Sequence, residues 1–187
     1  MSETNKLPAL QSSEEKLKKE VEQFLLDPRE DYPEPYYMLE YNGVPFSTIG
    51  GIQAISGQKK NGKTFVLAQL MAAILGDGCE RTEHYLPGLR VPERTVEYLD
   101  HIRRPELTEE ERKKNPYKPS VLYVDTEMEK LNSAKVLRRV HWLCNWDMRQ
   151  PNPRFHVLWL KNMPPDDAEK AHVKRWRLIK QAIEITK

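Results

Sequence analysis

The chain has few cysteines, and this excludes two kinds of covalent scaffold. Among 187 residues only Cys79 and Cys144 are cysteines. Two thiols cannot form a framework of several disulfides or a four-cysteine metal site. We therefore expect both to be reduced thiols, with Cys144 on a packed helix face.

The sequence also lacks long apolar stretches. No run of about 18 apolar residues occurs, and the N-terminal stretch MSETNKLPALQSSEE has no apolar centre of the kind that defines a signal peptide. We expect a soluble, cytoplasmic protein without a membrane partner. Charged residues make up 31% of the chain and the net charge is +2. That balance neither requires nor excludes nucleic acid.

Sites built on histidine are not indicated either. The five histidines show no metal-ligand spacing with the cysteines, and no catalytic triad pattern or nucleophile elbow is visible. We expect each to be a surface or packed histidine: His84, His101, His141, His156 and His172.

What the chain does contain is a phosphate-binding pattern. The residues GQKKNGKT, from Gly57 to Thr64, match G-x-x-x-x-G-K-[ST]. Glycines let such a loop curl so that successive N–H groups point at a phosphate. Lys63 would neutralise the β and γ phosphates, and the Thr64 hydroxyl would bind Mg²⁺. The candidate binding residues are Gly57, Gln58, Lys59, Lys60, Asn61, Gly62, Lys63, Thr64 and Phe65.

The flanking segments have the form that a phosphate-binding loop requires. The apolar run GIQAIS, residues 51–56, predicts a buried strand before the loop. The segment KTFVLAQLMAAIL, residues 63–75, predicts a helix that ends at Gly76. This context strengthens the assignment of the motif.

The chain is predicted to have an N-terminal tail and helix over residues 1–34 and a nucleotide-binding domain over residues 35–187. Ser12 and Glu15 form a candidate capping box for the first helix. A hairpin is predicted at Asn42-Gly43. Residues 77–119 hold five of the fourteen prolines and a second capping box, TEEE. We expect a solvated insertion there with one or two short helices.

Alternating strands and helices follow. Strands are predicted at 120–127 and 154–160, and helices over 129–146 and 164–187. This order is typical of an α/β fold with a mainly parallel sheet covered on both faces. The residues expected to face inward are Leu131, Ala134, Leu137, Val140 and Cys144 on the first helix, and Ala168, Ala171, Val173, Trp176, Ile179 and Ile183 on the second.

Acidic residues end the strand VLYVD. Alternation at the strand exit would direct Asp125 and Glu127 to one side, at the sheet edge where open α/β sheets bind their ligands. Hydrolysis needs one carboxylate at Mg²⁺ and another to polarise water. An acidic helix N-cap region explains the same residues, and the two interpretations are compatible.

The segments ISGQKKNGKTF and VLYVDTEME together resemble the RecA-like P-loop ATPases, in particular the RepA/DnaB-type proteins of replication and mobile elements. The resemblance covers roughly Val44 to Lys187. It implies a RecA-like three-layer sandwich, ATP and Mg²⁺ as cofactors, a ring-like or hexameric homo-oligomer, and action on DNA. It also implies that Lys63 and Glu127 are catalytic, with Glu127 activating water.

One part of the family's pattern is missing. RecA-like proteins carry the Mg²⁺-linked Walker B aspartate on a later strand, which would follow the helix near residues 166–186. We expect either that the chain is a fragment of a longer ATPase, which we favour, or that Asp125 is the metal-linked carboxylate and Glu127 the base. The candidate metal ligands are accordingly Thr64 and Asp125.

Two other functions remain open. A small-molecule or nucleotide kinase would need a lid with arginines, and Arg81, Arg90 and Arg94 of the 77–119 segment are candidates. A non-catalytic module would use nucleotide only as a structural ligand. The segments KVLRRVHW and KAHVKRWRLIK combine cations with tryptophan, as a nucleic-acid surface would. Core packing of Trp142 and Trp176 is the favoured explanation.

Overall fold

The architecture is that of a computed structural model, which describes residues 7–22, 24–56, 58, 61–76, 79–163 and 170–186. The chain divides into two compact units, Met1–Glu34 and Pro35–Lys187. No helix in the described residues is long and apolar enough to cross a membrane.

The described residues form seven helices and five strands. The helices are α1 (Leu7–Glu22), α2 (Lys63–Leu75), α3 (Cys79–Tyr85), α4 (Glu93–Arg103), α5 (Glu109–Lys114), α6 (Lys130–Leu143) and α7 (Ala171–Ile185). The strands are β1 (Tyr37–Tyr41), β2 (Val44–Thr48), β3 (Leu89–Arg90), β4 (Val121–Asp125) and β5 (Phe155–Trp159). The fold is therefore mixed α/β, with a small parallel sheet and a separate antiparallel sheet.

The first helix starts earlier than predicted. Helix α1 begins at Leu7, and Ser12 lies inside it, so the capping box at Ser12 and Glu15 is wrong. Proline is tolerated in a first helical turn, and Ala9, Leu10 and Gln11 all favour helix. These residues therefore extend the helix into the segment that was expected to be a loose tail.

The predicted hairpin is confirmed. Strands β1 and β2 pair antiparallel around Asn42 and Gly43, whose φ angles of 50° and 76° are both left-handed. Two such residues form the turn type that matches the twist of a two-stranded ribbon. Strand β3 pairs with the other edge of β1, which gives the order β2-β1-β3.

The strand predicted before the phosphate-binding motif is absent. Residues 51–56 have no regular structure and belong to neither sheet. Ile52 is 96% exposed and Ile55 is 45% exposed. An apolar run becomes a buried strand only where a neighbouring strand offers its backbone groups, and flanking glycines leave this segment free to adopt other conformations.

Helix α2 is confirmed with the predicted bounds. Its C-cap is Gly76, at φ 73°, whose N–H donates to the carbonyls of Ala72 and Ala73. The helix lies at the centre of the main hydrophobic core, where Ala68, Met71, Ala72 and Leu75 pack against α6 and β5. The other core residues are Val136, Val140 and Leu143 of α6, Cys144 at its C-cap and Phe155 of β5, so the expected burial of Cys144 is confirmed.

The segment 79–119 contains more regular structure than the one or two short helices predicted for it. It forms α3, α4, α5 and β3. Thr95, only 1% exposed, donates its hydroxyl proton to the Tyr37 carbonyl of β1 at 2.6 Å. The buried Asp100 carboxylate accepts hydrogen bonds from Arg104 and Arg112 at 2.8 and 3.0 Å.

The second capping box is also confirmed. The Thr108 hydroxyl accepts a hydrogen bond from the Glu111 N–H, and the Glu111 carboxylate accepts one from the Thr108 N–H at 2.8 Å. This reciprocal pair satisfies the first amides of α5, as expected for the sequence T-x-x-E.

The predicted β-α-β unit is confirmed for β4, α6 and β5. The two strands pair in parallel from Val121 with Phe155 to Asp125 with Trp159. The buried face of α6 matches the predicted face in part: Val140 and Cys144 are buried as predicted, but Leu131 is 61% exposed and Ser133 is 2% exposed.

Helix α7 does not bury the face that its pattern predicted. No residue of α7 is buried, and Val173, Trp176 and Ile183 are 44%, 62% and 44% exposed. Ala168 lies outside the described residues. The apolar periodicity is present, but the two-stranded parallel sheet is too narrow to cover this helix.

The exposed position of Ile52 gives a direct test of the missing strand. The substitution Ile52→Asp should change the free energy of unfolding by no more than about 0.5 kcal/mol, because the side chain already contacts water. As a control, Leu75→Ala in the core should destabilise by about 2–5 kcal/mol. Urea denaturation measures both. A loss above about 2 kcal/mol for Ile52→Asp would show that residues 51–56 are buried.

Candidate functional site

The phosphate-binding motif leads directly into α2. Gly62 is the N-cap of this helix, with φ 73° and ψ 10°, and Lys63 is the first helical residue. A left-handed N-cap favours glycine because a side chain there would be strained. Gln58, Asn61, Thr64 and Phe65 are described with them, whereas Gly57, Lys59 and Lys60 lie outside the described residues.

The Lys63 side chain folds back over the motif. Its ammonium donates a hydrogen bond to the Gln58 carbonyl at 2.8 Å, and the Asn61 N–H points at the same oxygen at 3.4 Å. These contacts hold the start of the motif close to the first turn of α2. The positive charge of Lys63 and the positive end of the helix therefore lie on the same side of the motif.

The second half of the candidate site is the carboxyl end of β4. Asp125 is 4% exposed and its carboxylate accepts hydrogen bonds on both oxygens. Oδ1 accepts the N–H groups of Glu127 and Met128, each at 2.9 Å. Oδ2 accepts the hydroxyl of Ser133 at 2.7 Å and that of Tyr123 at 3.4 Å.

These donors determine the charge state of Asp125. Burial by itself would raise the pKa of the carboxyl group, but the N–H groups of Met128 and Glu127 and the Ser133 hydroxyl outweigh it and lower the pKa below 3.8. Burial of Tyr123, together with the nearby Asp125 carboxylate, raises the pKa of that phenol to about 12. Asp125 is therefore an anion at neutral pH, and Tyr123 is a neutral donor.

Two hydrogen bonds from the end of β5 and the residue after it fix the segment from Asp125 to Met128. The Leu160 N–H donates to the Asp125 carbonyl at 2.7 Å, and the Trp159 indole donates to the Met128 carbonyl at 2.8 Å. Glu127 lies within this fixed turn and its side chain is exposed. The predicted acidic cap of the following helix is wrong, because the N-cap of α6 is Glu129, which makes no side-chain cap hydrogen bond, and Asp125 bonds amides that precede the helix. The exposed side chain of Glu127 is compatible with its predicted presentation at the sheet edge.

The two halves of the site belong to elements that share a core. Met128 packs against the cluster that contains Ala68 and Met71 of α2, and α2 contacts β4. Among the described residues before the motif, residues 51–56 pair with no strand of either sheet. Within the described residues no group of three His, Cys, Asp or Glu side chains could hold a metal ion by itself.

The structure adds a cluster of aromatic and arginine side chains beside the motif. Phe65 packs edge-on against Tyr85 with ring centroids 5.5 Å apart, and Tyr85 lies 6.2 Å from Trp142. The Arg139 guanidinium lies 5.3 Å from the Phe65 ring, and that of Arg81 lies 4.7 Å from the Trp142 ring. We call these five residues the aromatic–arginine cluster.

The residues proposed for a kinase lid are engaged elsewhere. Arg81 belongs to the aromatic–arginine cluster and also donates to the backbone of α6. Arg90 forms an ion pair with Glu40 of β1, and the guanidinium of Arg94 lies 4.7 Å from the Tyr36 ring. These contacts attach the arginines to neighbouring parts of the fold.

Comparison with protein-family models, with curated proteins and with solved structures found no match for this chain. The assignment of a function therefore depends on the motif and on the contacts of the described residues.

The contacts of Asp125 predict a structural role that can be measured. Asp125→Ala should lower the free energy of unfolding by about 2–3 kcal/mol, because buried N–H and O–H donors lose a charged acceptor. The control Glu127→Ala removes an exposed side chain and should cost no more than about 0.5 kcal/mol. Urea denaturation at neutral pH compares them.

The destabilisation caused by Asp125→Ala should depend on pH. Because the folded-state pKa of Asp125 is lowered, the stability it contributes is present above its unfolded value of 3.8 and is lost as pH falls through the folded value. The difference between wild type and Asp125→Ala should therefore narrow in acid. A difference that is constant with pH would contradict the charge assigned to Asp125.

Proposed function

We propose that the chain is a P-loop ATPase domain of the RecA-like kind, which couples Mg²⁺-ATP binding and hydrolysis to DNA replication or mobile-element transfer. In this proposal it works in the cytoplasm as a ring-forming homo-oligomer. The observation that supports it most is the motif GQKKNGKT joined to α2, with Gly62 left-handed at the N-cap and Lys63 as the first helical residue.

Phosphate recognition follows from the chemistry of these groups. The first N–H groups of a helix carry partial positive charge, and a lysine in the first turn adds a full charge. The Lys63 ammonium now contacts the Gln58 carbonyl, a neutral acceptor. A phosphate oxygen is a stronger acceptor for this ammonium, so Lys63 would transfer from the carbonyl to the nucleotide.

The residues present are compatible with Mg²⁺. This ion is usually held by one or two protein groups, phosphate oxygens and water, so a site without a cluster of three protein ligands suits it. When bound, it would neutralise charge on the phosphates. Thr64, in the first turn of α2, is the residue we assign to it. Asp125 would have to give up one of its present donors to reach a metal ion, so we assign it to positioning the turn that carries Glu127.

Glu127 is the residue we assign to water activation. Its side chain is exposed, and its backbone is fixed by the bond from its N–H to Asp125. A carboxylate presented from a fixed backbone position can accept a proton from water as the water attacks phosphorus. Asp125 orients the base and does not itself take the proton.

The non-catalytic module remains the second candidate, and one observation favours it. Both oxygens of Asp125 accept hydrogen bonds within the chain, and no other carboxylate of the described residues is buried at the end of β4. A domain of this kind could bind nucleotide through Lys63 and Thr64 without hydrolysing it. Turnover distinguishes the two functions.

Lys63 is the first residue to test for nucleotide binding. Titration calorimetry of the full chain should show binding of ATP that depends on Mg²⁺, and Lys63→Ala should weaken it by about tenfold or more, since a charge-assisted contact to phosphate contributes about 1.5–3 kcal/mol. The matched control Lys114→Ala removes an exposed lysine of α5 and should bind as the wild type does. A folded wild-type chain that binds no Mg²⁺-ATP would contradict the proposal.

Glu127 tests hydrolysis separately from binding. The variant Glu127→Gln should retain the affinity for Mg²⁺-ATP but lose about 10²-fold or more in the rate of phosphate release, which is the usual contribution of a general base. Phosphate release is measured with and without DNA. If the wild type binds Mg²⁺-ATP but releases no phosphate under either condition, the chain acts as the non-catalytic module.

A further inference from the structure

The outer face of α6 concentrates positive charge next to an exposed tryptophan. Lys135, Arg138 and Arg139 are all exposed, and Trp142 is 38% exposed. Their spacing of three and four residues places them along neighbouring rows of the helix surface. We call these four residues the α6 basic face.

The surface beside this face is concave. A depression of about 320 Å³ is lined by the α6 basic face together with Met148, which is 52% exposed. A second depression, of about 770 Å³, shares Arg138 and Met148 with the first and adds Arg149. The two depressions therefore adjoin at Arg138 and Met148, and together we call them the hollow beside α6.

The charge of this hollow is strongly one-sided. Its lining includes four cations, Lys135, Arg138, Arg139 and Arg149, and a single carboxylate, Asp147. One oxygen of that carboxylate accepts the N–H of Arg149 at 2.8 Å. A polyanion would match a surface of this composition.

Trp142 adds an aromatic ring to this surface, which a site for a simple anion would not need. Packing in the core was expected for this residue, but its ring is partly exposed and lines the smaller depression. The Arg81 guanidinium lies over the ring at 4.7 Å and adds a further positive charge. Cations that follow a phosphate backbone beside an aromatic ring that stacks on bases are the features that bind single strands.

We propose that the α6 basic face binds single-stranded nucleic acid, with Lys135, Arg138 and Arg139 at the phosphates and Trp142 stacked on a base. The inference specifies the nucleic-acid partner of the proposed ATPase, and its biological role rests on that proposed function. A single strand is favoured over a duplex because duplex bases are already stacked on one another and cannot stack on the indole.

The α6 basic face is connected to the candidate nucleotide site. Arg139 contacts Phe65, and Phe65 follows Thr64 in the first turn of α2. Nucleic acid at this face would therefore lie one side chain away from the helix that carries Lys63 and Thr64. This is the arrangement expected for a partner whose binding is sensed at the phosphate-binding motif.

The test measures binding of a fluorescent oligothymidylate to the full chain by anisotropy, without nucleotide, over a range of salt concentration. The double variant Lys135→Ala, Arg138→Ala should weaken binding by about tenfold or more and reduce the salt slope by about 1.4, since each phosphate contact on a single strand contributes about 0.7. The matched control is Lys113→Ala, Lys114→Ala on α5, which removes the same charge and should leave the affinity within about twofold.

Base stacking is tested by fluorescence. The oligonucleotide should quench the wild-type emission, and this quenching should be lost in Trp142→Phe but retained in Trp176→Phe on α7. Quenching that is lost only in Trp176→Phe would overturn the proposal. So would equal weakening of binding by the α6 double variant and by the α5 control double variant. Tighter binding of a duplex than of the single strand would also overturn it.

Failure of this inference can be separated from failure of the proposed function. A chain that binds Mg²⁺-ATP but not the oligonucleotide refutes the nucleic-acid surface alone. A chain that binds the oligonucleotide through Lys135 and Arg138 but does not bind Mg²⁺-ATP supports the surface and refutes the nucleotide site.

Discussion

The geometry of the candidate site depends on one buried carboxylate. An ionised side chain can be buried only where donors replace its water, and Asp125 receives them from two backbone N–H groups and from the Ser133 hydroxyl. Those bonds determine the path of the chain after β4 and join it to α6. Glu127 is exposed at a fixed position because Asp125 is buried and satisfied.

A single hydrophobic core supports both halves of the site. Helices α2 and α6 pack on one another and on β5, so the helix that starts at Lys63 and the turn that carries Glu127 rest on the same side chains. The aromatic–arginine cluster then joins the start of α2 to the outer surface of α6. In the two proposals, nucleotide would bind at the start of α2 and nucleic acid at the outer surface of α6, and these two helices pack on one another.

Much of the fold could be predicted where local chemistry decides it. The turn at Asn42-Gly43, the end of α2 at Gly76 and the capping box of α5 each depend on residues close together in sequence. Residues 51–56 and α7 were wrongly expected to be buried, because burial depends on neighbours that no local pattern contains. The aromatic–arginine cluster was missed for the same reason, since its members come from three separate helices.

In the candidate site, too, some features follow from the local sequence and others depend on packing. Gly62, Lys63 and Thr64 lie at the start of α2, as the motif predicts, whereas no local pattern predicts the Ser133 hydroxyl, which reaches Asp125 from α6. Amide hydrogen exchange of the full chain, with and without Mg²⁺-ATP, tests most directly whether the two halves form one nucleotide site. The account predicts added protection both at the first turn of α2 and in the turn from Asp125 to Met128. Protection at neither segment, or only at elements remote from both, would contradict it.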